Sequence, residues 1–166
     1  LEECLLKSVR SLEIGACHFH LNKFDHMSIE QLEEYISAFR DDNIFAIAEL
    51  LSRGITVERV HEITQITPYF LEAIKNIVDM EETLKAHPFE LETLTAAKKM
   101  GFSDKYVARM WKCTEIDVFN FRKEHNLFPV FRMVDTCHTG AYIPYFYSSY
   151  TGENTSILTD KKKIVV

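Results

Sequence analysis

The chain contains no GxxxxGK[ST] loop, no GxGxxG loop and no HExxH helix. Its five glycines are scattered, so it cannot build a loop that cradles phosphate. No apolar run is long enough to span a bilayer. The N-terminal LEECLL has acids where a signal peptide would have bases. There is no CxxC pair, and Cys4, Cys17, Cys113 and Cys137 are widely spaced. Four reduced thiols in a cytoplasmic protein are therefore expected. Basic residues are also in deficit, 19 Lys and Arg against 25 Asp and Glu, a net charge of −6. That balance argues against a general nucleic-acid binder.

What is present is helical. Gly54 to Lys75, GITVERVHEITQITPYFLEAIK, reads as a short helix, a tight turn and a longer helix. Thr56 is a good N-cap, and Gly54 stops whatever precedes it. Thr67-Pro68 starts the second helix, since proline is tolerated at the first helical position. Phe70, Leu71, Ile74, Ile77, Val78 and Leu84 then form one apolar stripe at helical spacing.

The same pattern recurs 47 residues later without a gap. Gly101 falls on Gly54, Phe102 on Ile55, Ser103 on Thr56, Val107 on Val60 and Met110 on Ile63. Thr114 falls on Thr67, Val118 on Leu71, Phe121 on Ile74 and Arg122 on Lys75. Ile44 and Ile47, ahead of the first glycine, face Leu91 and Leu94 ahead of the second. Caps, stops and apolar positions agree together, which predicts a structural repeat of two units sharing one core.

In chain order, Glu2 to Leu12 predicts a helix with Leu5, Leu6, Val9 and Leu12 on one face. Ala16 to His26 is a connection rich in His and Phe. Ser28 and Gln31 form a capping box for a helix to about Phe39, with Ile29, Leu32, Tyr35, Ile36 and Phe39 inward. Asp41 and Asp42 are expected to cap the next helix, through Ile44, Ile47, Ala48 and Leu51. His87-Pro88 breaks the chain before a helix from about Phe89 to Met100. From Phe128 the composition changes: 128–134 reads as extended, and YIPYFYSSY, 142–150, as an aromatic arm lying along a surface. Residues 152–160 read as a linker. Leu1 already lies in a helical pattern, and Lys161 to Val166 looks like a strand beginning, so the chain reads as a piece of a longer protein.

Chemical signals are sparse. A helix–turn–helix pair invites a DNA-binding reading, but a recognition helix presents Arg, Lys, Asn or Gln early. The candidates here open Pro68-Tyr69-Phe70 and Glu115-Ile116-Asp117. Between Gly54 and Lys85 six acids oppose three bases, 3 − 6 = −3. Cys17-His18-Phe19-His20 with His26 is one cluster, whereas zinc asks for about four ligands from two places. Cys137-His138 could pair a thiol with a base, yet sequence neighbours rarely hold that geometry and no oxyanion cradle is visible.

Pro129-Val130-Phe131-Arg132-Met133-Val134-Asp135-Thr136-Cys137, followed by Pro144-Tyr145-Phe146-Tyr147-Ser148-Ser149-Tyr150, resembles the end of the oligomerization domain of the carbamoyl-phosphate synthase large chain. LLKSVRSLEIG, 5–15, is similar to the start of that domain, and Asn43 to Glu49 and Gly101 to Asp104 resemble its middle. One departure is local. The family commonly has small residues and then Glu-Phe after VDTC, where this chain has His138-Thr139-Gly140-Ala141-Tyr142. A docking role for that glutamate is therefore not carried over.

The resemblance implies a ligase that makes carbamoyl phosphate from glutamine-derived ammonia, bicarbonate and ATP for arginine and pyrimidine synthesis. ATP and Mg or Mn would act in its two synthetic halves, and a glutaminase small chain would join it. The oligomerization domain would lie between the halves and carry no phosphorylation chemistry. The expected fold is all-α: about eight helices in two similar helical subunits, with an extended C-terminal arm. Residues 1–127 would be the helical domain, with units at about 28–86 and 87–126. Residues 128–160 would be arm and linker, and 161–166 the first strand of the next domain. No catalytic, cofactor-binding or metal residue is expected. Self-association is expected, with no nucleic acid and no membrane as partners. The rivals are a helix–turn–helix DNA-binding regulator and a small thiol enzyme at Cys137.

Overall fold

The computed structural model describes residues 1–135, 138, 140, 145–157, 159, 160 and 162. Among these lie eight α-helices and two short strands. The helices are α1 (Glu2–Ser11), α2 (Ile29–Ser37), α3 (Asn43–Ser52), α4 (Val57–Thr64), α5 (Pro68–Ala86), α6 (Leu91–Lys99), α7 (Asp104–Trp111) and α8 (Glu115–Glu124). A 3-10 turn, Asn22–Phe24, sits in the long α1–α2 connection. The strands β1 (Val130–Met133) and β2 (Phe146–Ser149) pair antiparallel, Val130 opposite Ser149. The fold is helical, as the periodicity predicts. No helix among the described residues is long and apolar enough to cross a membrane.

The offset of the repeat is kept by the backbone. Helices α4 and α7, and the starts of α5 and α8, lie 47 residues apart. Gly54 and Gly101 take left-handed conformations, φ 87° and 92°. After them Ile55 N donates to Leu50 O and Phe102 N to Ala97 O, each at 3.1 Å. These bonds close the last turns of α3 and α6, as a left-handed stop requires. The Thr56 hydroxyl accepts from Arg59 N, and the Ser103 hydroxyl accepts from Tyr106 N. Gln65 and Lys112, again 47 apart, both end their helices with left-handed φ, 57° and 55°.

One apolar core runs through both units. Leu71 on α5 and Val118 on α8 are each 0% exposed, as are Val60 and Val107. Ile47 and Leu94 are equally buried. Burying a side chain of this size stabilises by about 1.5–3 kcal/mol. Phe19 and Phe24 bring the α1–α2 connection into the same core. Arg53, at the end of α3, pins that connection by donating to the carbonyls of Met27, Phe24 and Asp25.

Several expectations are corrected. Leu12 and Phe39 are exposed, because α1 stops at Ser11 and α2 at Ser37, so each lies past its helix end. Phe70 is half exposed in the first turn of α5, and Leu91 is partly exposed at the start of α6. Asp42 occupies the N-cap position of α3 without capping it. Its carboxylate instead accepts from the Tyr35 hydroxyl at 2.8 Å and pairs with Lys23. The arm is not a single extended strand. Its two extended segments pair with each other, and β1 is bordered on its other side by Thr155, whose N–H donates to Phe131 O.

Candidate functional site

The described surface offers no deep phosphate or metal cage. It offers exposed aromatics, a cleft beside a buried histidine, and a charged cluster under the ribbon.

Exposed aromatics are spread over the surface, Phe39, Phe89 and Phe128 in connections among them, and several lie on α5, on α8 and on the ribbon. Tyr69 and Phe70 open α5, and Ile116 and Phe119 lie early in α8, all substantially exposed. These are the places where a DNA reader would present cations. On the ribbon, Phe131 and Tyr147 are about half exposed, and Tyr145, just before β2, is 70% exposed. Phe131 pairs with Ser148 and Tyr147 with Arg132, so these two aromatics lie on opposite faces of the ribbon. Tyr142 and Ile143, apolar residues of the same arm, lie outside the described residues.

His18 is buried and stacks on the Tyr106 ring, centroids 3.8 Å apart. Its Nε2 lies 2.6 Å from Glu81 Oε1, off the line of a hydrogen bond, and Nδ1 has no partner. Burial pushes the imidazole below its ordinary value, more than the Glu81 carboxylate lifts it. Burial, with Glu81 beside it, raises the Tyr106 phenol. His18 and Tyr106 border an open cleft of about 660 Å³ with Lys23, Asp42 and Arg109.

The Cys17–His20 cluster does not converge. Cys17 is half-buried, His18 faces Glu81, and His20 turns outward toward Asp25. Donor atoms of His20, Asp25 and Glu49 do lie within 4.8 Å of one another. Glu49 is already bound by Arg53 at 2.7 Å, which occupies the carboxylate such a group would need. Cys137 lies outside the described residues, and His138 is exposed.

The charged cluster is not among the candidates drawn from the sequence. Lys98 and Arg122 are 5% and 7% exposed and share the Asp104 carboxylate. Lys98 also donates to Phe102 O at 2.7 Å, and Arg122 to Leu127 O at 3.0 Å. Burial lowers Lys98 against the pull of Asp104. Burial works to raise the Asp104 carboxyl, but Arg122 and Lys98 hold it below its ordinary value. Each charge reads as a solvated helix face on its own. The signal was the repeat: Lys98 stands where the first unit has Leu51, and Asp104 where it has Val57.

The chain matches the family model of the carbamoyl-phosphate synthetase large chain oligomerisation domain over residues 1–126. The match takes in all eight helices; the VDTC and PYFYSSY motifs follow it. Both helical units, their stops and their shared core therefore fall inside one recognised domain, and the chain belongs to the carbamoyl-phosphate synthetase large chain oligomerisation domain family.

Proposed function

We propose that this chain is the spacing and self-association domain of a cytoplasmic carbamoyl-phosphate synthase large chain. The parent ligase makes carbamoyl phosphate from glutamine-derived ammonia, bicarbonate and ATP, for arginine and pyrimidine synthesis. Residues 1–127 form the helical domain, with units at about 28–86 and 87–126. Residues 128–160 form the arm and linker, and 161–166 begin the first strand of the second synthetic half. The domain itself holds no catalytic, cofactor or metal residue. ATP and Mg or Mn act in the synthetic halves. Its partners are those halves, the glutaminase small chain and a second copy of itself.

The observation that carries this reading is the family match across every helix. The adjacent exposed rings of Tyr69 and Phe70 at the start of α5, and Tyr145 and Tyr147 on the ribbon, support association. The scarcity of glycine supports the absence of phosphate chemistry.

Light scattering on the whole chain at rising concentration tests the association. Its mean mass is expected to rise. Tyr69→Ser with Phe70→Ser and, separately, Phe131→Ser with Tyr147→Ser then tell a helix contact from a ribbon contact. A chain that stays monomeric at high concentration overturns the association. In calorimetry with Mg-ATP no saturable heat is expected; a stoichiometric one would contradict the non-catalytic reading.

A further inference from the structure

The two units keep the same stops without the same side chains. Leu51 and Val57 are buried apolar residues in the first unit. Their counterparts Lys98 and Asp104 are charged, and Arg122 stands where Lys75 pairs with Asp79 at the surface. The glycine stop closes at 3.1 Å in both units, so the helices do not need these charges to turn. Buried charge is costly unless it is paired, and apolar residues at such places are often equally or more stable. The cluster therefore calls for another occupation.

That occupation lies above it. Lys98 Nζ is 4.9 Å from the centre of the Tyr150 ring, and Arg122 Cζ is 5.7 Å away. Both are within reach of a cation–π contact, which strengthens when the cation is desolvated. Tyr150 follows β2 directly and is partly buried. Asp104 ties both cations to one carboxylate, and the Phe102 and Leu127 carbonyls accept from them as well. Fixed in this way, Lys98 faces the Tyr150 ring, and Arg122 lies between that ring and the Phe119 ring, 5.5 Å away on its own helix.

We propose that Lys98, Asp104 and Arg122 form a clasp for an aromatic ring, and that the ring they hold is Tyr150 of the chain's own ribbon. The clasp seats β2 on the second unit. On the side of α1 the ribbon is tied independently: Lys7 donates to Ser148 O, and the Ser149 hydroxyl donates to Glu3 at 3.2 Å. Held at both places, the ribbon sets the direction in which the chain after Tyr150 leaves the helices. This inference stands on the geometry of the second unit and does not depend on the reaction of the parent enzyme.

Amide hydrogen exchange on the whole chain tests it. Tyr150→Leu is expected to speed exchange at Phe146–Ser149 by about tenfold, the equivalent of one good cation–π contact. Amides in α4 and α5 are expected to stay protected. Tyr150→Phe keeps the ring and is expected to exchange like the parent chain. The triple variant Lys98→Leu, Asp104→Val, Arg122→Met removes the cluster whole and leaves no orphan charge. It is expected to loosen β2 as Tyr150→Leu does, and adding Tyr150→Leu to it is expected to change nothing further. Unchanged β2 exchange in Tyr150→Leu overturns the proposal, as do independent, additive effects of the two changes. If the triple variant fails to fold, Tyr150→Leu against Tyr150→Phe decides: equal loosening in both overturns the clasp.

Discussion

Helices α3–α5 and α6–α8 keep an offset of 47 residues in their left-handed stops and in the starts of the last two helices of each, although α5 outruns α8, and they fill that frame with different chemistry. In the first unit the turn around Gly54 is lined by Leu51 and Val57, and nothing lies within 4 Å of where a Cβ on Gly54 would sit. In the second, the turn around Gly101 carries Lys98 and Asp104, and the backbone of Glu3 in α1 crowds the glycine, its Cα 2.9 Å from such a Cβ. The Arg10 guanidinium also donates to Gly101 O at 3.0 Å. His18 packs on Phe102 and Tyr106, where the first unit has Ile55 and Arg59. Caps and left-handed stops fix the frame, and the side chains between them are free to serve a neighbour. The first unit spends those places on core. The second spends them on α1, the His-rich connection and the ribbon.

The largest separation between the units is expected at the carboxylate. Asp104→Ala leaves Lys98 and Arg122 buried without their shared partner and is expected to cost about 3–5 kcal/mol in urea unfolding. The equivalent Val57→Ala removes two methyl groups and is expected to cost roughly 1–2 kcal/mol. Equal costs would erase the distinction between a charged and an apolar turn.

At the paired core positions the difference is expected to be smaller. Leu71 and Val118 are both fully buried. Leu71→Ala is expected to cost about 2–4 kcal/mol, and Val118→Ala less, at roughly 1–3 kcal/mol, because fewer carbons are lost. A negligible effect at either position would break the equivalence of α5 and α8.

The stops were legible because a few residues determine them locally. Gly54 and Gly101, Thr56 and Ser103, and Thr114 each act on neighbours within a turn, and Pro68 starts α5 where the Thr67 side chain makes no cap, so the string of residues carries the information. The ends of α1 and α2 were overrun because Leu12 and Phe39 continue an apolar period beyond the last hydrogen-bonded turn. The clasp and the His18 stack were not legible from the local pattern. Lys98, Asp104, Arg122 and Tyr150 meet only after three helices and a ribbon have folded, and each looks like ordinary surface when read in place. The ribbon was missed for the same reason: β1 and β2 are separated by residues 134–145, and pairing across such a span is a long-range event.

The glycines sharpen the comparison further. Both hold left-handed φ, so Ala strains either turn by roughly 1–3 kcal/mol. At Gly101 the methyl also meets the Glu3 backbone, and Gly101→Ala is expected to be the more damaging by thermal melting. The reverse order would mean that α1 does not rest on the second unit.

The smallest expected effect is in pH. Burial holds His18 below its unfolded value, so the unfolded chain binds more protons in the window between the two. Stability is therefore full above the ordinary histidine value and falls as pH drops below about 6.5. His18→Phe should flatten that part of the profile, measured as urea midpoints across pH. An unchanged slope would place the sensitivity elsewhere.

One apolar core holds both units, and native-state hydrogen exchange in rising denaturant reads that directly. The amides of Ile77 within α5 and Phe121 within α8, each past the first turn of its helix, report on the two halves. The shared apolar cluster predicts that both amides converge on one opening free energy, equal to that of global unfolding. Phe121 opening alone at low denaturant, with Ile77 still protected, would show that the halves are separate bodies and would contradict a shared core.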